Sequence, residues 1–194
     1  MVRPRLIKAA RARSRHTMQL SLLFIVDALS GLYISMFVLR FILQWIRASY
    51  QSPLAQFVLQ ITAPIVVPAR RIIPSVRGTD FPTLVVIFAL ECLATLLLFA
   101  IVRVVPSIEM FLFAVLLRLV TLTLWLYCTA LFIYVVMSWL GGEMYNPSAA
   151  TLGEVVDPVL RPFRRVMPPV AGFDVSPVIV LILLQAVIYA LPHW

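Results

Sequence analysis

Apolar residues fall along this chain in four long runs, separated by two mixed segments and one short link. The first run is Leu20 to Ile46, the second Thr83 to Val105, and the third Phe111 to about Leu140. The fourth is Val178 to Leu191, extendable back to Val175 and forward to Trp194. A helix crossing a bilayer needs about 20 such residues at about 1.5 Å each. All four runs are therefore expected to be membrane helices. The fourth is the shortest, and a segment of that length thins the bilayer locally or tilts little. The link from Pro106 to Met110 is short, so the second and third spans are expected to form an antiparallel hairpin.

The mixed segments, 47–82 and 141–177, have a pattern of their own. Leu54, Phe57, Val58 and Ile61 recur at helical spacing, with Gln56 and Gln60 on other faces. This predicts a short amphipathic helix that starts after Pro53, stops before Pro64 and lies in the membrane interface.

A shift of the chain by 94 residues superimposes the two connectors without a gap. Pro53, Pro64, Pro68 and Pro74 meet Pro147, Pro158, Pro162 and Pro168. Arg70 and Arg71 meet Arg164 and Arg165, Gly78 meets Gly172, and Asp80 meets Asp174. In the helices Tyr33 meets Tyr127, Trp45 meets Trp139 and Glu91 meets Gln185. A register kept over so many unlike residues marks a tandem duplication. The expected organisation is a basic tail over 1–19, a first repeat over 20–105, a link over 106–110 and a second repeat over 111–194. Each repeat holds two spans, an even number, so both enter from the same side. The fold class is an all-α membrane protein: four transmembrane helices in two parallel repeats about an axis along the membrane normal.

Composition agrees and removes whole classes of function. Of 194 residues, 62% are hydrophobic and only 12% charged, and mean hydropathy is +1.02. Soluble domains carry about twice that share of charge, so neither a soluble enzyme nor a disordered chain fits. Net charge is +8, with fifteen of the sixteen basic residues arginine. On a membrane chain such an excess points to anionic lipid head groups and to the setting of topology rather than to nucleic acid. Cys92 and Cys128 lie inside apolar runs, and the histidines, His16 and His193, stand at opposite ends. The chain is therefore expected to hold no metal, no covalent haem and no other cofactor.

The repeated element reads P-I-V-V-P-A-R-R-I-I-P at 64–74 and P-V-L-R-P-F-R-R-V-M-P at 158–168, followed by G-T-D-F-P at 78–82 and G-F-D-V-S-P at 172–177. Over about 20–192 the chain resembles the YggT (YlmG-like) family of small integral membrane proteins. The second repeat has the family-like Asn146-Pro147, where the first has Ser52-Pro53. The resemblance implies a multi-pass protein of the bacterial inner membrane without established catalytic residues. Relatives are associated with osmotic tolerance, with cell-division gene neighbourhoods and, in plastids, with haem attachment to a cytochrome b and with nucleoid or membrane organisation.

Proline every four to six residues precludes one long helix, so each element is expected to be two short helices bent along the membrane surface. Arg70 and Arg71, like Arg164 and Arg165, point about 100° apart on a helix. They read either as snorkelling anchors on lipid phosphates or as a docking site for a partner's acidic groups or a ligand phosphate. Asp80 and Asp174 fit either as N-caps of the following spans or as salt-bridge partners of a motif arginine.

Charges inside a membrane need partners. Arg40, about 9 Å below the end of span one, and Glu91, about 12 Å into span two, are expected to form a buried ion pair. Tyr134 and Gln185 occupy the matching positions and would be its neutral counterpart. Asp27 and Arg118 either pair across the two repeats or each snorkel to their own interface.

No nucleophile–base pair, phosphate loop or metal spacing appears, which favours a non-enzymatic scaffold or assembly factor. Its partners would be anionic lipid and other membrane proteins, without direct nucleic-acid binding, and it could act as an oligomer. A small channel or transport component in osmotic or ion homeostasis is the alternative, and a lipid enzyme is the weakest reading. Topology depends on the start. Seven basic residues lie on each side if the tail is counted, but one against seven if Met18 is the start. The tail would place both termini inside, and a start at Met18 would make the connectors cytoplasmic.

Overall fold

The computed structural model describes residues 3–48, 52–73, 80–139, 147–166, 174 and 176–192, with side chains from Thr17 onward except those of Trp139 and Val166. Among the described residues all regular structure is helical. The helices are α1 (Arg3–Trp45), α2 (Pro53–Ile72), α3 (Phe81–Val102), α4 (Ile108–Trp139), α5 (Pro147–Val166) and α6 (Ser176–Ala190). Three segments are long and apolar enough to cross a membrane: Thr17–Trp45, Phe81–Val102 and Ile108–Ser138. The 15-residue α6 is apolar but shorter, about 22 Å of rise against a hydrocarbon core of about 30 Å.

Each half is a triangle of three helices. α1 packs on α2 and α3, and α2 on α3; α4 packs on α5 and α6, and α5 on α6. The halves meet where α2 packs on α5 and where α4 packs on α1 and α3. The core gathers between these layers on Phe37, Leu43, Val58, Leu131, Val155 and Leu160, all but closed to the outside. The outward faces of the long helices are apolar too, with Phe24, Leu29, Leu93, Leu116 and Ile182 exposed. A surface of that kind suits lipid rather than water as its solvent.

The connectors depart from the expected pairs of short helices. Each is one continuous helix of 20 residues that runs through two prolines, Pro64 and Pro68 in α2, Pro158 and Pro162 in α5. A proline inside a helix costs about 3 kcal/mol through its missing N–H and its clash with the carbonyl four residues back. Here the spacing limits the damage. The two prolines of each helix are four apart, so both lie on one face, and all four are exposed. The carbonyls they leave free lie on that same outer face. The opposite face holds the helix in place: Ala55, Val58, Thr62 and Val66 are buried on α2. Ala149, Leu152, Val156 and Leu160, 94 residues on, are buried on α5. Of the predicted stripe, Val58 is buried, Leu54 and Ile61 are half-buried and Phe57 is exposed. The buried face is turned toward Ala55, Thr62 and Val66, and the helix itself continues past Pro64 to Ile72. Ser52 caps the start of α2, its hydroxyl accepting from the Ala55 N–H at 3.2 Å, with Pro53 in the first turn.

α1 and α3 end alike. Arg47 and Arg103 adopt left-handed backbones, φ 54° and 61°. The next residues, Ala48 and Val104, donate back to Leu43 and Phe99 at 2.9 and 3.1 Å. These are closures of the kind usually made with glycine.

Candidate functional site

Two polar centres stand out in this apolar bundle. The first is at the connector end and is built twice. Arg70, in the last turn of α2, donates from Nη2 to Asp80 Oδ2 at 2.7 Å. Arg164, in the last turn of α5, donates from Nε to Asp174 Oδ2 at 2.8 Å. Each clasp joins residues ten apart in the sequence and ties a connector helix to the start of the next helix. The two alternatives weighed for the aspartates thus combine. Asp80 occupies the N-cap position of α3, where it accepts from the Thr83 hydroxyl at 2.5 Å rather than from a backbone N–H. Asp174 accepts from the Ser176 N–H at 3.0 Å.

The electrostatics follow. Burial of Asp80 disfavours its charge, but hydrogen bonds from Arg70 and Thr83, with the charges of Arg70 and Arg40, outweigh it. Its carboxyl is held below the ordinary value. Asp174 is held down in the same way: bonds to Ser176 and Arg164 outweigh its burial. The second arginine of each pair behaves differently. Arg71 and Arg165 are exposed and make no ion pair among the described residues. Nearby, Arg161 pairs with Asp157 at 2.6 Å and Arg164 reaches the same carboxylate at 3.6 Å. Of the other motif residues, Pro74, Gly78, Pro168 and Gly172 lie outside the described residues.

The second centre is inside the bundle. Arg118 of α4 donates from Nη1 to Asp27 of α1, so the pairing across the two repeats is made. The same guanidinium donates from Nε to Glu91 of α3 at 2.5 Å, and Thr95 donates to that carboxylate oxygen at 3.4 Å. Glu91 is fully buried.

This corrects the expected pairing of Glu91 with Arg40. α1 ends at Trp45 and α3 begins at Phe81. Arg40 is then about 7 Å from its helix end and Glu91 about 15 Å from its own, more than a helical turn apart in depth. Arg40, 6% exposed, donates instead to the Thr62 hydroxyl of α2 at 2.7 Å. Thr62 passes the chain of bonds on to the Val58 carbonyl at 2.6 Å. The neutral counterpart is corrected as well. The Tyr134 hydroxyl accepts from Arg164 at 3.3 Å, and Gln185, half-buried on α6, is not its partner. The sequence did hold a signal for the Arg40–Thr62 contact. Both members change together across the 94-residue shift, to Tyr134 and Val156. Glu91 and Arg118 also change together, to Gln185 and Phe24, but they sit in different repeats, so the change does not pair them within one.

Among the described residues no three histidine, cysteine or acidic side chains gather as a metal site would need. What the two centres offer is charge held in fixed positions.

Comparison with known proteins matches the chain twice to the CCB3/YggT family model, over residues 19–101 and 113–194. A Pseudomonas aeruginosa relative, PA0392, is 32% identical over 167 residues, covering 85% of this chain and 85% of its own length. YggT of Escherichia coli strain K12 is 32% identical over 167 residues, covering 86% and 87%. Ycf19 of Guillardia theta is 35% identical over 63 residues, covering 32% of this chain and 69% of its own. No solved structure matches.

Proposed function

The chain belongs to the CCB3/YggT family, and from that premise we propose that it is a non-enzymatic scaffold or assembly factor of the bacterial inner membrane. In this reading α6 completes a set of four spans, and the two halves are related by an axis along the membrane normal. The working surface is formed by the ends of α2 and α5. One observation carries the proposal: in each connector the first arginine is clasped by an aspartate while the second is left exposed. The clasped arginine fixes the helix end, and the exposed one offers a guanidinium to anionic head groups or to a partner's carboxylates. In this reading the two connector helices, packed on each other, make both offers on one face of the membrane. Two weak sites held in fixed relation bind far more tightly than either alone.

The channel reading has less support, since the intramembrane clefts described below have mainly apolar walls.

Sidedness and partner capture test the proposal together. Cysteines at Ile72 and Arg161, in a background lacking Cys92 and Cys128, report through an impermeant thiol reagent which face of the membrane holds these helix ends. In the same cells the double change Arg71→Gln with Arg165→Gln should leave the amount of folded protein unchanged. Cross-linked complexes with other membrane proteins should then disappear. An unchanged cross-linking pattern, or selective ion flux through liposomes of the pure protein, would overturn the scaffold reading.

A further inference from the structure

Two clefts open on either side of the Asp27–Arg118 pair, and among the described residues these two alone line both. The first, about 520 Å³, runs between α1, α3 and α4 toward the α3–α4 link. Its walls include Leu23, Phe24, Leu98, Phe99, Val102 and Ala114. The second, about 650 Å³, runs the other way along α1 and α4 past Gly31, Ser35, Thr121, Trp125 and Thr129. Neither centre described for the connectors opens into them.

The chemistry of the junction narrows what fits. Two carboxylates, Asp27 and Glu91, share one guanidinium, so the centre carries a formal charge of −1. Glu91 stands at the middle of α3 and Arg118 ten residues into α4, each about 15 Å from its helix end and so near the bilayer midplane. Both facts turn away a phospholipid head group: it is anchored at the interface, and an anionic one meets net repulsion. The mainly apolar walls of the first cleft turn away a hydrated ion. Hydrogen-bonding capacity is nevertheless left over. Arg118 spends one N–H on Glu91 and one on Asp27, out of five. Asp27 bonds through one oxygen, and its side chain is 57% exposed. A hydroxyl group answers both needs, because it accepts from the guanidinium and donates to the carboxylate.

We propose that the cleft lined by Leu98, Phe99 and Val102 holds the chain of a neutral single-chain lipid alcohol, its hydroxyl set between Arg118 and Asp27. The site rests on no part of the scaffold reading. It has no copy in the other half, where the matching residues are Thr121, Gln185 and Phe24.

The test is native mass spectrometry of the full chain released from nanodiscs of phosphatidylcholine. The probes are geranylgeraniol, geranylgeranyl phosphate and dioleoylglycerol. The expected result is one saturable adduct with geranylgeraniol, at least about tenfold tighter than with the phosphate or the diacylglycerol. Leu98→Trp fills the first cleft and should weaken that adduct by at least about tenfold at unchanged helical content. Asp27→Asn removes the excess negative charge, and the preference for alcohol over phosphate should shrink. A phosphate adduct as tight as the alcohol's would overturn the proposal. So would a diacylglycerol adduct as tight, an adduct that never saturates, or variants that leave both affinity and preference unmoved.

Discussion

The two halves of the bundle make the same clasp and surround it differently. In the first, the Asp80 side chain is wholly enclosed, 0% exposed, with Thr83 bonded to it and the charge of Arg40 close by. In the second, Asp174 is 36% exposed, and the place of Arg40 is taken by Tyr134, which accepts a bond from the clasping arginine itself. Inside the bundle the contrast is sharper. Asp27, Glu91 and Arg118 form one charged centre, while the positions 94 residues away hold Thr121, Gln185 and Phe24. Duplication thus kept the connector geometry in both halves but kept none of the charges of the spans, Asp27, Arg40, Glu91 and Arg118, at the matching positions. A feature kept twice answers a demand of the fold at both sites. A feature found once is free to serve something the fold does not need.

The largest expected effect tests that last step. Arg118→Leu leaves a fully buried carboxylate, Glu91, without its cation, and removing one member of a buried pair costs about 3–5 kcal/mol. Copying the other half should undo the loss. The triple change Asp27→Thr, Glu91→Gln and Arg118→Phe leaves no unpaired charge and should return within about 1 kcal/mol of the native stability. Unfolding by sodium dodecyl sulfate in mixed micelles, followed by circular dichroism, measures both. If the triple variant were as damaged as the single one, the charged centre would be a requirement of the fold.

The clasps come next. Asp80→Ala strands Arg70 and empties an enclosed site, for about 2–3 kcal/mol. Asp174→Ala removes a half-exposed pair and should cost about 0.5–1 kcal/mol. Both carboxyls are held below their ordinary value of 3.8. Their contribution is therefore full above that value and is lost as pH falls through the lower folded value. Wild type should lose stability on that acid limb, and Asp80→Asn should flatten it more than Asp174→Asn. Equal flattening would mean that the two halves do not differ at the clasp.

Much of this was legible in the residues, and where reading failed the reason is physical. The apolar runs gave the three long helices because bilayer thickness sets their length, and the 94-residue register gave the paired connectors. The connector helices were read as broken because proline was judged by its local rule. The buried stripe from Ala55 to Val66, which outweighs that rule, needs a partner surface to be seen. The expected pairing of Arg40 with Glu91 rests on depth and on the joint change to Tyr134 and Gln185 in the second repeat. Depth put Asp27 and Arg118 at one level and left open whether they pair or snorkel; the structure pairs them. Depth misplaced Arg40, because one residue's error at the end of α1 and two at the start of α3 together shift the level by most of a turn. Glu91 and Arg118 lie in different repeats, so no count of depth within one repeat brings them together.

The smallest effect concerns how the two first spans end. Arg47 closes α1 with a left-handed backbone, φ 54°, a conformation that costs an L-residue about 1–2 kcal/mol. The second half has Gly141 at the matching position, outside the described residues. Arg47→Gly relieves the strain but adds freedom to the unfolded chain worth about 0.5–1 kcal/mol, so the expected net gain is about 0.5 kcal/mol. Arg47→Ala separates charge from backbone: it removes the guanidinium, keeps the strain and should gain nothing. Arg103→Gly, at φ 61°, should give a gain of the same size, since the Val104 N–H closes α3 onto Phe99 as Ala48 closes α1 onto Leu43. If glycine and alanine at 47 were equally stabilising, Arg47 would act through its charge. The difference between Arg47 and Gly141 would then belong to topology rather than to the helix end.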